Sequence, residues 1–371
     1  MMSARFLTVV LERAFNMRDG FGREIDYMRI SVIDSCNLNC YYCNPCDNNE
    51  HCHALNILSV KEVLCIVRAA TRLGIKHFRL TGGEPLLHPQ LDEMVLQIKK
   101  IPGVSSVSLT TNAVLLVQHA KWLKEAGIDS INVSLDTIDA SEYERITKKP
   151  LLEEVKHGIN AAIECGIRVK INVVLTPQTD VVALTRYVAK KGTDIRFIEM
   201  MPVGEGHTNG VEPYKKVIGT LSKLYGEPCR INTEKTKEIN SGNDKRKIPD
   251  NGPAEYYIFP ELGIRVGLIQ AIHGKFCATC NRIRVTADGR LMPCLGSSVT
   301  MDLVPDSWDF ADDVEKDFAI VRALRAAIKA KPRCHNFNDN AVTYTKTTET
   351  KTTEIEAAEV NAARNMSRIG G

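Results

Sequence analysis

Residues 29–43 read RISVIDSCNLNCYYC, and this stretch decides the fold. A run of β-branched and apolar residues predicts a strand over Arg29–Asp34. The strand leads directly into three cysteines with the spacing Cys36-x3-Cys40-x2-Cys43. Three thiolates can bind three irons of a [4Fe–4S] cube and leave the fourth iron open for chemistry. A structural zinc site is the alternative, although zinc sites favour paired Cys-x2-Cys units.

A further cysteine, Cys46, extends the run, and Cys52-His53 lies close behind it. If Cys46 bound the fourth iron, the cluster would be closed and could only pass electrons. We interpret Cys46 as a spare thiol, because Pro45 stiffens the loop between it and Cys43.

Outward from this loop, short β-branched runs alternate with helical segments. Five further strands are predicted at His77–Thr81, Val107–Thr111, Ile131–Asp136, Arg168–Leu175 and Ile195–Met200. The intervening helices are predicted at Val60–Leu73, Leu91–Ile101, Gln118–Ala126, Leu151–Cys165 and Val181–Lys190. Regular alternation predicts an α/β fold with a parallel sheet, either open or closed into a partial barrel.

Polar residues cluster where these strands end. The stretch Thr81-Gly82-Gly83-Glu84-Pro85 follows the second strand, and Thr110, Ser134 and Glu199 stand at later strand ends. Parallel α/β folds bind ligands at the carboxyl ends of their strands, so these residues are candidates for a binding site. The alternative is that polar residues simply begin loops.

A second cysteine group follows in the C-terminal third, with the spacing Cys277-x2-Cys280-x13-Cys294. Zinc is again an alternative and would need a fourth ligand, such as Cys334 or a histidine. Arg282 and Arg284 alternate with apolar residues just after Cys280, so both guanidinium groups project to one side, as a phosphate site requires. The alternative is an exposed strand face.

Composition excludes several classes of function. The chain has 371 residues, a net charge of +3 and 6% aromatic residues, which does not fit a nucleic-acid or membrane-surface protein. Twelve cysteines without a secretory pattern predict a cytoplasmic chain with metal or redox chemistry. No stretch is long enough for a transmembrane helix.

The first cysteine motif with Tyr42, followed by Gly82-Gly83-Glu84-Pro85, resembles the radical S-adenosylmethionine (SAM) superfamily. The resemblance implies a partial (β/α)6 TIM-type barrel with a smaller C-terminal iron–sulfur domain. On that basis we expect an N-terminal extension over 1–27, the barrel over 28–202, the C-terminal cluster domain over 203–335 and a mobile tail over 336–371.

Further motifs resemble the radical SAM enzymes that cyclise GTP to (8S)-3′,8-cyclo-7,8-dihydroguanosine 5′-triphosphate, the first step of molybdenum cofactor biosynthesis. These motifs are Met28-Arg29-Ile30-Ser31-Val32, Asn132-Val133-Ser134-Leu135-Asp136, Arg196-Phe197-Ile198-Glu199 and the terminal Gly370-Gly371. Another two-cluster radical SAM enzyme, for example one that modifies a peptide, is the alternative. A zinc-binding module for nucleic acid is the alternative from another class.

This resemblance implies two [4Fe–4S] clusters, on Cys36, Cys40 and Cys43 and on Cys277, Cys280 and Cys294. SAM contacts are implied at Tyr42, Gly83, Glu84, Thr110, Ser134 and Met201. GTP contacts are implied at Arg29, Arg79, Lys170, Arg196, Arg282 and Arg284. It also implies an electron donor such as flavodoxin or ferredoxin and transfer of the product to cyclic pyranopterin monophosphate synthase, and it leaves a homodimer open.

The chain departs from the pattern of this family at four positions near the sites. Ser35 replaces the usual Arg, Asn44 replaces the usual Met, and Ala113 replaces the usual Gly. His77 stands where a phosphate-binding Lys is common, and its charge near neutral pH depends on its surroundings. These changes bear on substrate contacts rather than on the class of chemistry.

The terminal Gly370-Gly371 generates a first prediction. A diglycine has no side chains, so it can enter a narrow cavity where any Cβ would clash. Deleting both glycines should leave iron content and GTP binding unchanged and strongly reduce the yield of cyclised product, because the substrate is less well positioned. Quantitative chromatography of the product checks this, and a truncated enzyme working at the full-length rate contradicts it.

Overall fold

The computed structural model describes residues 17–43, 56–202, 213–231, 252–297, 299–303, 313–335 and 337. Asn44, Cys46, Cys52 and His53 lie outside the described residues. So does the predicted tail with Gly370-Gly371, apart from residue 337.

Six parallel strands, neighbours in chain order, form the centre of one sheet. They are β1 (Tyr27–Ser31), β2 (His77–Thr81), β3 (Ser106–Thr111), β4 (Ser130–Ser134), β5 (Val169–Leu175) and β6 (Asp194–Glu199). Between them run α1 (Val60–Arg72), α2 (Leu91–Lys99), α3 (Leu116–Glu125), α4 (Ala140–Thr147), α5 (Leu152–Glu164) and α6 (Val181–Lys190). This arrangement confirms the predicted partial barrel of six strand–helix units.

The C-terminal third extends this sheet at both edges. It contributes α7 (Pro213–Tyr225), β7 (Cys229–Ile231), β8 (Glu255–Ile258), β9 (Arg265–Ile269), β10 (Arg282–Val285), β11 (Arg290–Met292), β12 (Met301–Asp302) and α8 (Asp313–Lys329). Strand β9 pairs in parallel with β6, and β10 pairs in parallel with β1. The order β12-β11-β10-β1-β2-β3-β4-β5-β6-β9-β8-β7 does not close. The predicted domain boundary at residues 202/203 stays a prediction.

The strands alternate between an apolar and a polar face. In β1 the side chains of Met28 and Ile30 are fully buried in the hydrophobic core, and Phe78 and Leu80 repeat the pattern in β2. The residues between them, such as Arg29, are polar and project to the other face. Parallel strands are usually apolar on both faces, so a polar second face indicates a barrel interior built for a polar ligand.

Helix α1 shows how the outer layer is formed. Ser59 and Glu62 make a reciprocal capping box at its start, and Val63, Ile66 and Val67 are buried against the sheet. None of the helices in the described ranges combines the length and the apolar character that a membrane span requires.

Candidate functional site

The first cysteine group, Cys36, Cys40 and Cys43, lies on a loop at the carboxyl end of β1. At the base of the loop, the Asp34 carboxylate accepts hydrogen bonds from the backbone nitrogen of Asn56 at 3.2 Å and from its side-chain Nδ2 at 2.7 Å. At the other side, backbone nitrogens of the loop donate to carbonyl oxygens of Ile146 and Thr147, in the last turn of α4. The loop is therefore fixed between the sheet and α4.

Gly83 brings the end of β2 into backbone contact with the start of this loop. Its nitrogen donates to the Ile33 carbonyl at 2.8 Å, and the Glu84 nitrogen donates to the Ser35 carbonyl at 2.8 Å. A Cβ on Gly83 would lie 2.1 Å from the Ser35 oxygen. Only glycine allows this approach, so the diglycine holds the residue that precedes Cys36.

Glu84 connects the two strand ends through its buried carboxylate. The carboxylate accepts hydrogen bonds from the backbone nitrogens of Leu86 and Asn112 and from the Thr111 hydroxyl, at 2.7–3.0 Å. Burial raises the pKa of Glu84 to about 7, although these donors oppose the shift. Asn112 in turn donates to the Cys36 sulfur at 3.8 Å. Glu84 thus positions the cysteine loop, and its implied contact with SAM stays a prediction.

A small cleft opens beside the first cysteine group. Cys40, Tyr42, Ser134 and Asp136 contribute to its lining. The Tyr42 hydroxyl donates to Asp136 at 2.5 Å, and burial raises the pKa of Asp136 to about 6. Apolar side chains with a few convergent polar groups are the lining that small-molecule sites share.

The implied SAM contacts fall in three places. Tyr42 and Ser134 line the cleft, whereas Gly83 and Glu84 lie behind the cysteine loop. The Thr110 hydroxyl accepts a hydrogen bond from Arg79 at 3.4 Å, so it meets the barrel interior. Met201 follows β6, is half-buried and does not line the cleft.

Six cations, here called the barrel cations, project from the polar face: Arg29, Arg79, Lys170, Arg196, Arg282 and Arg284. The register places Arg29 between Arg284 on β10 and Arg79 on β2. Neighbours in register on parallel strands project to the same face, so these three guanidinium groups lie side by side. The structure therefore gathers cations that are up to 255 residues apart in the sequence.

Burial and the charges of neighbouring barrel cations lower the pKa of Arg29 and Arg284. Burial, followed by the nearby Arg284 and Arg79, brings the pKa of Arg29 well below its usual range. Burial and Arg282 lower the pKa of Arg284 to about 10, so its guanidinium stays charged at neutral pH. Arg196 is 5% exposed, and among the described residues its buried Nη2 has no hydrogen-bond partner. Buried like charges of this kind need an anion, and a triphosphate fits.

Tyr27 projects from the same face as the barrel cations, and it was not among the predicted site residues. Its hydroxyl accepts from Arg79 Nε at 2.5 Å, and the Arg282 guanidinium lies 5.4 Å from its ring centroid. Burial alone would raise the pKa of Tyr27, but Arg79, Arg282 and Arg29 lower it to about 8. Its position two residues before Arg29 could have predicted this role, because every second residue of a strand projects to the same face.

Two of the departures from the family pattern have local explanations. The His77 ring bonds Ser106 Oγ at 2.8 Å, and burial lowers its pKa, so His77 is largely neutral near pH 7. It adds no full charge to the barrel cations. Ala113 adopts a left-handed φ of 67°, a conformation that favours the glycine common in the family.

The second cysteine group, Cys277, Cys280 and Cys294, lies near the amino end of β10. Cys280 donates its backbone N–H to the Cys277 carbonyl at 3.2 Å, directly before β10, and Cys294 follows β11. Burial alone would raise the pKa of Cys280, but the charges of Lys331 and Arg282 bring it below its usual value. Burial raises the pKa of Cys294.

Neither cysteine group is arranged around a single ion. Within the described ranges, no three Cys, His, Asp or Glu side chains converge as the ligands of one metal ion must.

Comparison with known proteins agrees with this geometry. Residues 30–183 match the radical SAM superfamily, and residues 193–337 match the family described as Molybdenum Cofactor Synthesis C. The GTP 3′,8-cyclase of Clostridium perfringens strain SM101 is 35% identical over 324 residues, covering 86% of this chain and 95% of its own. That of Peptoclostridium acidaminophilum is 37% identical over 328 residues, covering 86% and 94%. The chain therefore belongs to the GTP 3′,8-cyclase family of the radical SAM superfamily.

Solved structures confirm the fold. Streptococcus suis SuiB bound to the precursor peptide SuiA superposes with a TM-score of 0.54 at 14% identity, covering 87% of this chain and 69% of SuiB. A histidine-tagged form of anSMEcpe with bound AdoMet gives a TM-score of 0.51 at 17% identity, covering 82% and 83%.

The contact at Gly83 generates a prediction. Gly83→Ala should displace the Ser35 backbone and reduce the iron bound at the first cysteine group, which removes up to about half of the total iron if each group holds one cluster. Gly219→Ala, on a helix where a Cβ meets nothing within 4 Å, is the matched control and should keep all of it. Iron per chain after anaerobic reconstitution is the measurement, and full iron in Gly83→Ala contradicts the prediction.

Proposed function

We propose that this chain is a GTP 3′,8-cyclase, which converts GTP to (8S)-3′,8-cyclo-7,8-dihydroguanosine 5′-triphosphate in the first step of molybdenum cofactor biosynthesis. The observation that carries the proposal is the set of barrel cations between two cysteine groups. The first group follows the carboxyl end of β1, and Cys277 and Cys280 of the second group precede the amino end of its parallel neighbour β10. The four residue steps of β1 span roughly 13 Å, so an elongated anion fits between the groups.

The triphosphate is the part of the substrate that this chain's own residues can hold most strongly. Arg282 and Arg284 present planar guanidinium groups, which match phosphate oxygens with two parallel hydrogen bonds. Arg29 and Arg79 extend this surface across the neighbouring strands. Lys170 and Arg196 contribute charge from β5 and β6. A triphosphate carries several negative charges on adjacent groups and matches this many cations better than a peptide does, which argues against the peptide-modifying alternative.

SAM would occupy the cleft at the first cysteine group. Cys36, Cys40 and Cys43 would hold the cluster, and Tyr42 and Ser134 would contact SAM, with Gly83, Glu84, Thr110 and Met201 as the remaining predicted contacts. When bound, the cluster supplies the electron that cleaves SAM into methionine and a radical able to abstract hydrogen. The chain's part is to orient SAM and substrate and to exclude water around them.

Guanine would bind at the second cysteine group, where Cys277, Cys280 and Cys294 would hold a second cluster. Because β10 begins at Arg282, two residues after Cys280, one continuous segment would hold both the triphosphate and the base. The proposal includes a flavodoxin or ferredoxin as electron donor, cyclic pyranopterin monophosphate synthase as the consumer of the product, and the reducing cytoplasm as the compartment.

Anaerobic incubation with GTP, SAM and a strong reductant tests the proposal. We expect 5′-deoxyadenosine, methionine and a nucleotide isomeric with GTP, resolved by chromatography. Replacing Cys36, Cys40 and Cys43 together by Ala should abolish all three products and leave about half of the iron, because the second group keeps its own cluster. Formation of 5′-deoxyadenosine without any GTP-derived product, in the presence of both substrates, would contradict the proposal.

Arg284 offers a separate test of GTP binding. Removing one charge-assisted contact should cost roughly 1.5–3 kcal/mol, or about 10- to 150-fold in GTP affinity. Iron content should change little. Arg290→Ala is the matched control, because Arg290 lies on the next strand in an exposed ion pair with Asp302 and should leave GTP affinity unchanged. Equilibrium binding of GTP is the measurement, and normal affinity in Arg284→Ala contradicts the assignment.

A further inference from the structure

Lys331 is a buried cation outside the barrel interior, two residues after α8 ends. It is 3% exposed. Its Nζ donates to the carbonyl oxygens of Arg282 and Pro293, both at 2.8 Å. These carbonyls stand two residues after Cys280 and one residue before Cys294. One ammonium group therefore joins the two chain segments that carry two of the three cysteines of the second group.

The charge of Lys331 has no carboxylate to balance it. Among the described residues, the ion pairs with acidic side chains do not include Lys331. Two carbonyl dipoles satisfy its N–H groups but leave its positive charge in a buried setting, which is unfavourable without an anion. Lys331 lies within electrostatic reach of Cys280 and Cys294, whose side chains would be thiolates when they bind iron.

Arg23 holds the third cysteine to the same place. Its Nη1 donates to the Cys277 carbonyl at 2.7 Å, and its guanidinium also donates to the carbonyls of Pro332 and Arg333 at 2.6 and 3.0 Å. The buried Asp19 carboxylate accepts from Arg23 Nε at 2.5 Å. Residues 331–333 are thus connected to all three cysteine-bearing segments. Lys331 bonds the segments of Cys280 and Cys294, and Arg23 bonds residues 332 and 333 to the Cys277 carbonyl.

We propose that Lys331 and Arg23 form a positioning frame for the second cysteine group, and that the unbalanced charge of Lys331 sets the reduction potential of the cluster held there. The inference rests on the proposed function, because it requires a cluster on Cys277, Cys280 and Cys294. The two cations have different parts. Arg23 is neutralised by Asp19 and acts through hydrogen bonds alone, whereas Lys331 acts through both hydrogen bonds and charge.

The direction of the effect on potential follows from charge. One-electron reduction makes a cluster more negative, so a cation within a few ångströms stabilises the reduced form more than the oxidised form. Removing that cation lowers the reduction potential. With Lys331 at this position, a cluster on these three thiolates is easier to reduce than the same cluster would be without Lys331.

The experiment uses the full-length chain with Cys36, Cys40 and Cys43 replaced by Ala, so that only the second cluster contributes a signal. Lys331→Gln keeps N–H donors for both carbonyls and loses the charge. Lys331→Arg keeps the charge. Lys329→Gln, two residues earlier with an exposed side chain, is the matched control for a change of net charge. Each protein is reconstituted anaerobically, its iron is counted, and its electron paramagnetic resonance spectrum is recorded during a redox titration.

We expect Lys331→Gln to lower the reduction equilibrium constant about tenfold or more, which is about 59 mV for a one-electron couple, with an altered spectrum of the reduced cluster. Lys331→Arg and Lys329→Gln should keep the parent potential. Without iron, the parent and the two variants at residue 331 should unfold at similar temperatures, because Gln and Arg both keep N–H donors for the two carbonyl oxygens.

Three results would overturn the inference, and the first of them also overturns the proposed function. A parent without iron at the second group contradicts the proposed function and the frame together. A parent that carries the cluster, with the same potential and spectrum in Lys331→Gln, contradicts the frame alone. A shift of equal size in Lys329→Gln has the same meaning, because it assigns the effect to net charge rather than to the buried ammonium.

Discussion

Repulsion among buried cations is the constraint on which the rest of the structure depends. Arg29, Arg79 and Arg284 occupy adjacent positions on three neighbouring strands, and burial together with the charges of Arg284 and Arg79 lowers the pKa of Arg29. Such a layer is unfavourable in a chain that binds nothing. The helices bury the opposite, apolar face of the same strands, and this burial stabilises the sheet strongly enough to hold the charges together. The folded chain thus presents a positively charged site, which a bound anion completes.

The pairing of β1 with β10 couples the two halves of the chain. The first cysteine group follows β1, and Cys277 and Cys280 precede β10, so one register between two strands sets the spacing between these ligands. Tyr27 strengthens this pairing, because its backbone nitrogen donates to the Asn281 carbonyl at 3.3 Å and its ring lies beside Arg282. Small shifts of this register would therefore move a cluster ligand and a phosphate ligand at the same time.

Local patterns in the sequence predicted the strands and most helices of the barrel. They did not predict elements that form only through contacts with distant parts of the chain. Strand β2 and helix α6 begin and end where the β-branched and amphipathic patterns place them. Helix α4 was missed because its short, mostly polar sequence carries a narrow apolar stripe at Tyr143 and Ile146. Strand β7 was also missed, and it is only three residues long. Such an edge strand forms through pairing with β8 rather than through its own pattern.

At the functional site, too, sequence patterns predicted some features, while others depend on long-range contacts. The motifs identified the cysteines and arginines, whereas the roles of Glu84, Arg23 and Lys331 depend on carbonyl and amide groups brought close by the fold. Arg23 and Cys277 are 254 positions apart in the sequence, and no spacing rule connects them. The fold places Glu84 behind the cysteine loop, with its carboxylate already engaged by three donors, which the motif alone did not predict.

The open edges of the sheet have a consequence for biosynthesis of the chain. Residues 28–202 contain six strands, but both outer strands of that segment, β1 and β6, gain their second neighbours only from β10 and β9. A ribosome must therefore release more than 80 further residues before both edges are covered, and loop closure over that length is slow. Nascent chains expose unpaired parallel edges during this interval, which are templates for aggregation. Delivery of iron to the first cysteine group thus competes with self-association during synthesis, and chaperone capacity becomes a determinant of the yield of active enzyme.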